Sequence, residues 1–75
     1  DPRALTAGTD GLDAVRHIIA ESAHWLAPGG LLALEIGEAH WPVVRELLLD
    51  AGYAAVTHRK DLAGIPRIAA GWRPA

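Results

Sequence analysis

Two acids stand where a carboxylate can do chemistry: Glu35, in the run LLALEIGEAHW over residues 31–41, and Asp61, which opens DLAGIPR. A carboxylate at the end of an apolar strand, followed after one residue by a glycine, delivers charge and uncluttered backbone to a strand edge where a polar ligand group can be oriented. The same acid equally suits a hydrogen bond to a nearby helix N-terminus. Asp61 either faces that edge or pairs with Arg67 across its turn, an exposed pairing that contributes about 0–1 kcal/mol. Gly37 serves a turn or a close backbone approach. Glu35, Gly37 and Asp61 are thus the candidate site residues, all on the rim where a substrate would sit.

Other chemistries find no support in the spacing. His17 and His24 are seven residues apart, about 10 Å along a helix, too far to chelate one ion. His40 and His58 complete the histidines, and no His-x-x-x-His pair occurs. Ser22 has no base at a patterned distance, so a nucleophilic triad is not indicated. Trp25, Trp41 and Trp72 read as core or lid packing. No metal site and no catalytic residue is expected within the chain.

Alternating helix and strand patterns must position these residues. Apolar residues at Leu12, Val15, Ile18, Ile19, Trp25 and Leu26 give helical periodicity over 11–26, with Thr9 and Asp10 at the N-cap and Asp13 in the first turn. Pro28 ends that helix, and Gly29-Gly30 let the chain reverse. Residues 31–36 alternate Leu32, Leu34 and Ile36 with Leu31, Ala33 and Glu35. That pattern predicts an interior strand covered on both faces. Pro42 suits a first helical turn, and Val43, Val44, Leu47, Leu48 and Ala51 form a stripe that stops at Gly52. Residues 53–59 and 66–72 are two strands joined by the hairpin KDLAGI. A strand–helix–strand unit places its strands parallel with a right-handed crossover, and the hairpin adds an antiparallel strand. The fold class is α/β. The carboxyl ends of the two parallel strands share a rim, the place where open α/β sheets bind ligands.

Composition bounds the rest. Seventy-five residues make one domain at most, and 15 of them are alanines, against 19 Leu, Ile and Val. The core is thin and stability modest. The chain has no cysteine and a formal net charge of −2, so disulfides, thiolate zinc sites and a basic nucleic-acid footprint are not features of it. No apolar run reaches the roughly 18 residues needed to span a bilayer. The chain opens on Asp1-Pro2-Arg3 with a loop-like lead over residues 1–9, which reads as a cut inside a longer chain.

The segments ALTAGTDGLDAVRHII (4–19), LLALEIG (31–37), VRELLLDAGY (44–53) and KDLAGIPRIAAGW (60–72) resemble, in order, the carboxyl-terminal part of class I S-adenosylmethionine-dependent methyltransferases of the HemK/PrmC type. The resemblance spans nearly the whole chain, and the DGLD and DLAGxxR elements make it more specific than the PGG turn alone. It implies a Rossmann-like sheet and methylation of the glutamine in the GGQ motif of peptide-chain release factors. In that family the glycine-rich cofactor loop, the acid that holds the cofactor ribose and the Asn-Pro-Pro-Tyr motif lie upstream, and none of them occurs here.

By resemblance, residues 1–75 are then the carboxyl-terminal segment of one catalytic domain in a cytoplasmic enzyme. S-adenosylmethionine is the cofactor of the full-length protein, with none expected for this chain, which alone is expected to be inactive. The release factor is the expected partner, with neither membrane nor nucleic acid, and the segment is expected to self-associate through an uncovered sheet. Two alternatives stand beside this: a fragment of a nucleic-acid amino-methyltransferase, and a non-catalytic interaction or scaffold module.

Overall fold

The structure is a computed structural model that describes residues 11–74. The cap expected at Thr9 and Asp10, and the lead-in over 1–9, lie outside the described residues. In chain order the elements are helix α1 (Asp13–Ser22), strand β1 (Leu31–Glu35), helix α2 (Trp41–Asp50), strand β2 (Ala54–Lys60) and strand β3 (Pro66–Trp72). The expected order of helix, strand, helix, strand, strand is observed.

Helix α1 ends four residues before Leu26, where periodicity carried it. The amides of His24 and Trp25 bond the carbonyls of Glu21 and Ser22, three residues back, at 2.9 and 3.2 Å. That tightening is 3₁₀ geometry, and it swings Trp25 out to 59% exposure instead of continuing the apolar stripe. The Arg73 guanidinium donates to the carbonyls of Ala23 (3.2 Å) and Leu26 that the ending helix leaves open. Helix α2 ends as its sequence dictates. Gly52 takes φ +91°, its amide bonds the Leu49 carbonyl at 3.0 Å, and the Tyr53 amide bonds Leu48 at 3.0 Å. Those two bonds form a Schellman motif, closed by the buried side chains of Leu48 and Tyr53.

The sheet corrects the expected pairing. Strand order is β1-β3-β2, and β3 runs antiparallel to both neighbours. β1 and β2 do point the same way, but β3 lies between them. Small residues on the inner face of β3 allow this: Ala69 is fully buried, and a Cβ on Gly71 would lie 2.9 Å from Cβ of Tyr53. The segment after α2 therefore approaches the central strand more closely than any larger side chain would permit.

Leu12, Ile19, Leu32, Ile36, Val44, Leu48, Tyr53 and Ala69 form the core. Ser22 is buried among them, its hydroxyl donating to the Ile19 carbonyl at 2.6 Å while its oxygen lies 2.5 Å from the Tyr53 hydroxyl. Burial alternates along β1, with Leu32 buried and Leu34 half-buried while Leu31, Ala33 and Glu35 are exposed. Among the described residues β1 is therefore an edge strand covered on one face, not an interior strand covered on both. The open face carries Leu31, Ala33, Thr57, Arg59, Ile68, Ala70 and Trp72. The tryptophans divide accordingly: Trp41 packs against the core, whereas Trp25 and Trp72 are exposed.

Candidate functional site

The carboxyl ends of β1 and β2 meet at one rim. Glu35 on β1 and Arg59 on β2 are both in register with Ile68 of the intervening β3. The three side chains thus form a row across the open face, an acid and a base about 10 Å apart with an isoleucine between them. The Ile36 amide donates to the Arg67 carbonyl at 2.9 Å, which ties the Glu35-Ile36-Gly37 segment to the base of the hairpin that carries Asp61. The structure therefore brings the three candidate residues to a single edge.

Their environments differ. The Glu35 carboxylate is exposed and has no hydrogen-bond or ion-pair partner among the described residues. The N-cap residue of α2, His40, makes no side-chain cap bond, and Glu35 makes no hydrogen bond to that helix among the described residues. Asp61 is fully engaged. Its Oδ1 accepts from the amides of Ala63 (2.9 Å) and Ile65 (3.0 Å), and its Oδ2 accepts from Arg67 Nε at 3.1 Å. The Ile65 amide first and then the Arg67 guanidinium hold its carboxyl below the ordinary aspartate range, with the Ala63 amide adding to them and desolvation opposing. Asp61 shapes the turn, and the pairing with Arg67 read from the sequence is present.

Gly37 answers to space. Its carbonyl accepts the His40 amide at 3.1 Å, and a Cβ on it would lie 2.8 Å from His40 Nδ1 and 2.9 Å from Cε1. The His40 ring fills the volume that the missing side chain leaves, and its Cε1 is also 3.6 Å from where a Cβ on Gly11 would stand. The ring thus packs into the turn between β1 and α2 and leaves no room for a side chain at position 37.

Sequence reasoning missed three rim residues: His40, Arg59 and Leu62. Arg59 was legible in the alternation of β2, whereas Leu62 was read only as part of the DLAGxxR element, with nothing in its spacing to mark it as exposed. The histidines are solvated or packed: His17 and His24 are exposed, and His58 lies 4.5 Å from the Trp41 ring, centre to centre. No group of three or more metal-ligating side chains occurs among the described residues, nor any helix long and apolar enough to cross a membrane.

No family model matches the chain. Among curated proteins it is similar to the release factor glutamine methyltransferase of Gloeobacter violaceus, 52% identical over 66 residues, which is 87% of this chain and 23% of that protein. The protein of the same name from Burkholderia pseudomallei is 48% identical over 75 residues, 99% of this chain and 26% of its own length. That from Coxiella burnetii is 44% identical over 69 residues, 91% and 25%. The chain spans about a quarter of the length of the relatives it matches.

Proposed function

The chain is homologous to the release factor glutamine methyltransferases, the HemK/PrmC type, and matches their carboxyl-terminal part; we propose on that premise that it forms the acceptor-side rim of a protein-(glutamine-N5) methyltransferase domain. The identity of 44–52% over nearly the whole chain carries this reading. In it, residues 1–75 are one segment of the catalytic domain, the lead over 1–9 included, in a cytoplasmic enzyme. S-adenosylmethionine is held by residues outside the segment and supplies the methyl group. The acceptor is a release factor.

An amide nitrogen is a weak nucleophile because its lone pair is delocalised into the carbonyl. Holding it in place, and accepting a hydrogen bond from one of its N–H groups, lowers the barrier through positioning and charge stabilisation. Glu35 suits that task, since its carboxylate is exposed at the rim and unspent. Gly37 keeps the adjoining turn in shape, and Asp61 fixes the hairpin beside it. Without its donor-binding residues the segment alone transfers no methyl group. It self-associates through the open face and the free edge of β1, for which sedimentation of a concentrated sample is the check: a stable monomer argues against it.

The test is a chimera in which this chain replaces the matching quarter of the Gloeobacter violaceus protein. The chimera is expected to methylate a release factor. Glu35→Gln is expected to lower the single-turnover rate with donor affinity and melting temperature unchanged. If melting falls by about 1–2 kcal/mol equivalent and turnover of the folded variant holds, Glu35 is a stability residue. A folded, donor-binding chimera that leaves release factor unmodified defeats the whole reading.

A further inference from the structure

Leu62 is the most exposed apolar side chain described, at 109% of its reference surface. The other large apolar residues on the surface, such as Leu31, Trp72 and Trp25, keep 41% or more of their area covered. A lone surface leucine is ordinary; a leucine held out on a rigid turn is a different object. The tip that carries it is fixed by the three bonds to the Asp61 carboxylate and by two backbone bonds, Asp61 amide to Ile65 carbonyl at 2.9 Å and Gly64 amide to Asp61 carbonyl at 3.0 Å. The turn's order is established before any partner arrives, which removes much of the entropy cost of docking. Ala63 and Gly64 beside it are exposed and small, and none of the described residues shields an approach to Leu62.

The hairpin springs from the same rim as Glu35, through the Ile36–Arg67 backbone bond. We propose that Leu62 is a specificity-determining contact that inserts into an apolar depression on a folded protein acceptor, away from the side chain being modified. The inference rests on the acceptor-rim reading above and adds to it the requirement for a folded acceptor. A short peptide has no such depression and gains nothing from the hairpin tip. An apolar contact held in place beforehand loses less entropy on docking than a mobile one, so more of its burial is retained as affinity.

The experiment uses the chimera described above with two acceptors: an intact release factor and a short peptide containing its acceptor glutamine. Leu62→Ser is expected to raise KM for the intact protein about tenfold or more, with kcat, donor affinity, melting temperature and all peptide kinetics unchanged. Leu62→Met, which keeps the apolar reach, is expected to restore the protein KM. An unchanged protein KM, an equal rise for both acceptors, or a failure of Leu62→Met to rescue overturns the proposal. Titration of intact release factor onto each folded variant separates this outcome from that of the function itself. Weakened binding in Leu62→Ser with no turnover in any chimera leaves the docking role standing and defeats the methyl-transfer reading. No binding even by the unsubstituted chimera defeats both.

Discussion

Substituting Gly37 by alanine tests whether the rim turn is shaped by the contact with His40. The added methyl would sit 2.8 Å from Nδ1 and 2.9 Å from Cε1 of the ring, so one of them must move by roughly 0.5–1 Å to reach ordinary van der Waals separation. His40 is half-buried and its amide is tied to the Gly37 carbonyl, so the ring has two side-chain torsions with which to yield and little freedom in its backbone. An overpacked contact of this sort costs about 1–3 kcal/mol. His40→Ala removes the ring and with it the collision, so Gly37→Ala in that background should cost only about 0.5 kcal/mol, leaving a coupling of about 1–2 kcal/mol. Equilibrium urea unfolding of the four chains, with a common m-value, measures it. A Gly37→Ala cost that is the same with and without the ring would refute the argument.

The buried pair on the opposite side of the core should be asymmetric. Tyr53→Phe leaves Ser22 donating to Ile19 and costs about 0.5–1.5 kcal/mol, whereas Ser22→Ala strands the Tyr53 hydroxyl and costs about 1–3 kcal/mol in the same unfolding assay. Ala55 sits in the bulged part of β2 with φ +52°, a left-handed conformation that disfavours a Cβ by about 1–2 kcal/mol. Ala55→Gly should therefore stabilise the fold by a net of about 0.5–1 kcal/mol after the extra backbone entropy of glycine, read in the same unfolding assay. For Asp61 the sign runs with its lowered carboxyl: the clamp is complete above the ordinary aspartate range and is lost as pH falls through the lower folded value. Amide protection factors at Ala63 and Ile65, taken against the intrinsic exchange rate at each pH, should fall in that acid window, and Asp61→Asn should abolish that fall.

Much of the architecture could be read from punctuation. Pro28 with Gly29-Gly30 marked the end of the first helix region and the start of β1, and Gly52 closed α2 with the bonds its position foretold. The limit of α1 could not be read, because Trp25 and Leu26 continue the apolar period while local 3₁₀ bonds and the distant Arg73 decide where the helix stops. Periodicity gave β3 a hairpin partner but could not say which strand would take its other edge. That choice depends on the room above Ala69 and Gly71, a property of tertiary packing. At the rim, the types of Glu35, Gly37 and Asp61 were informative and their roles were not. Only the distances distinguish the unspent carboxylate of Glu35 from the engaged one of Asp61, and only they attach Gly37 to His40.

The central place of β3 also sets a timetable for folding. Among the described residues β1 hydrogen-bonds to β3 and to no other strand, in a register that pairs Leu31 with Trp72, about forty residues later. β2 likewise has β3 as its only ladder partner among the described residues. As the chain leaves the ribosome, α1 and α2 can form from local bonds, but the β1–β3 ladder cannot close until residues 66–72 emerge, and it closes a far longer loop than the β2–β3 hairpin does.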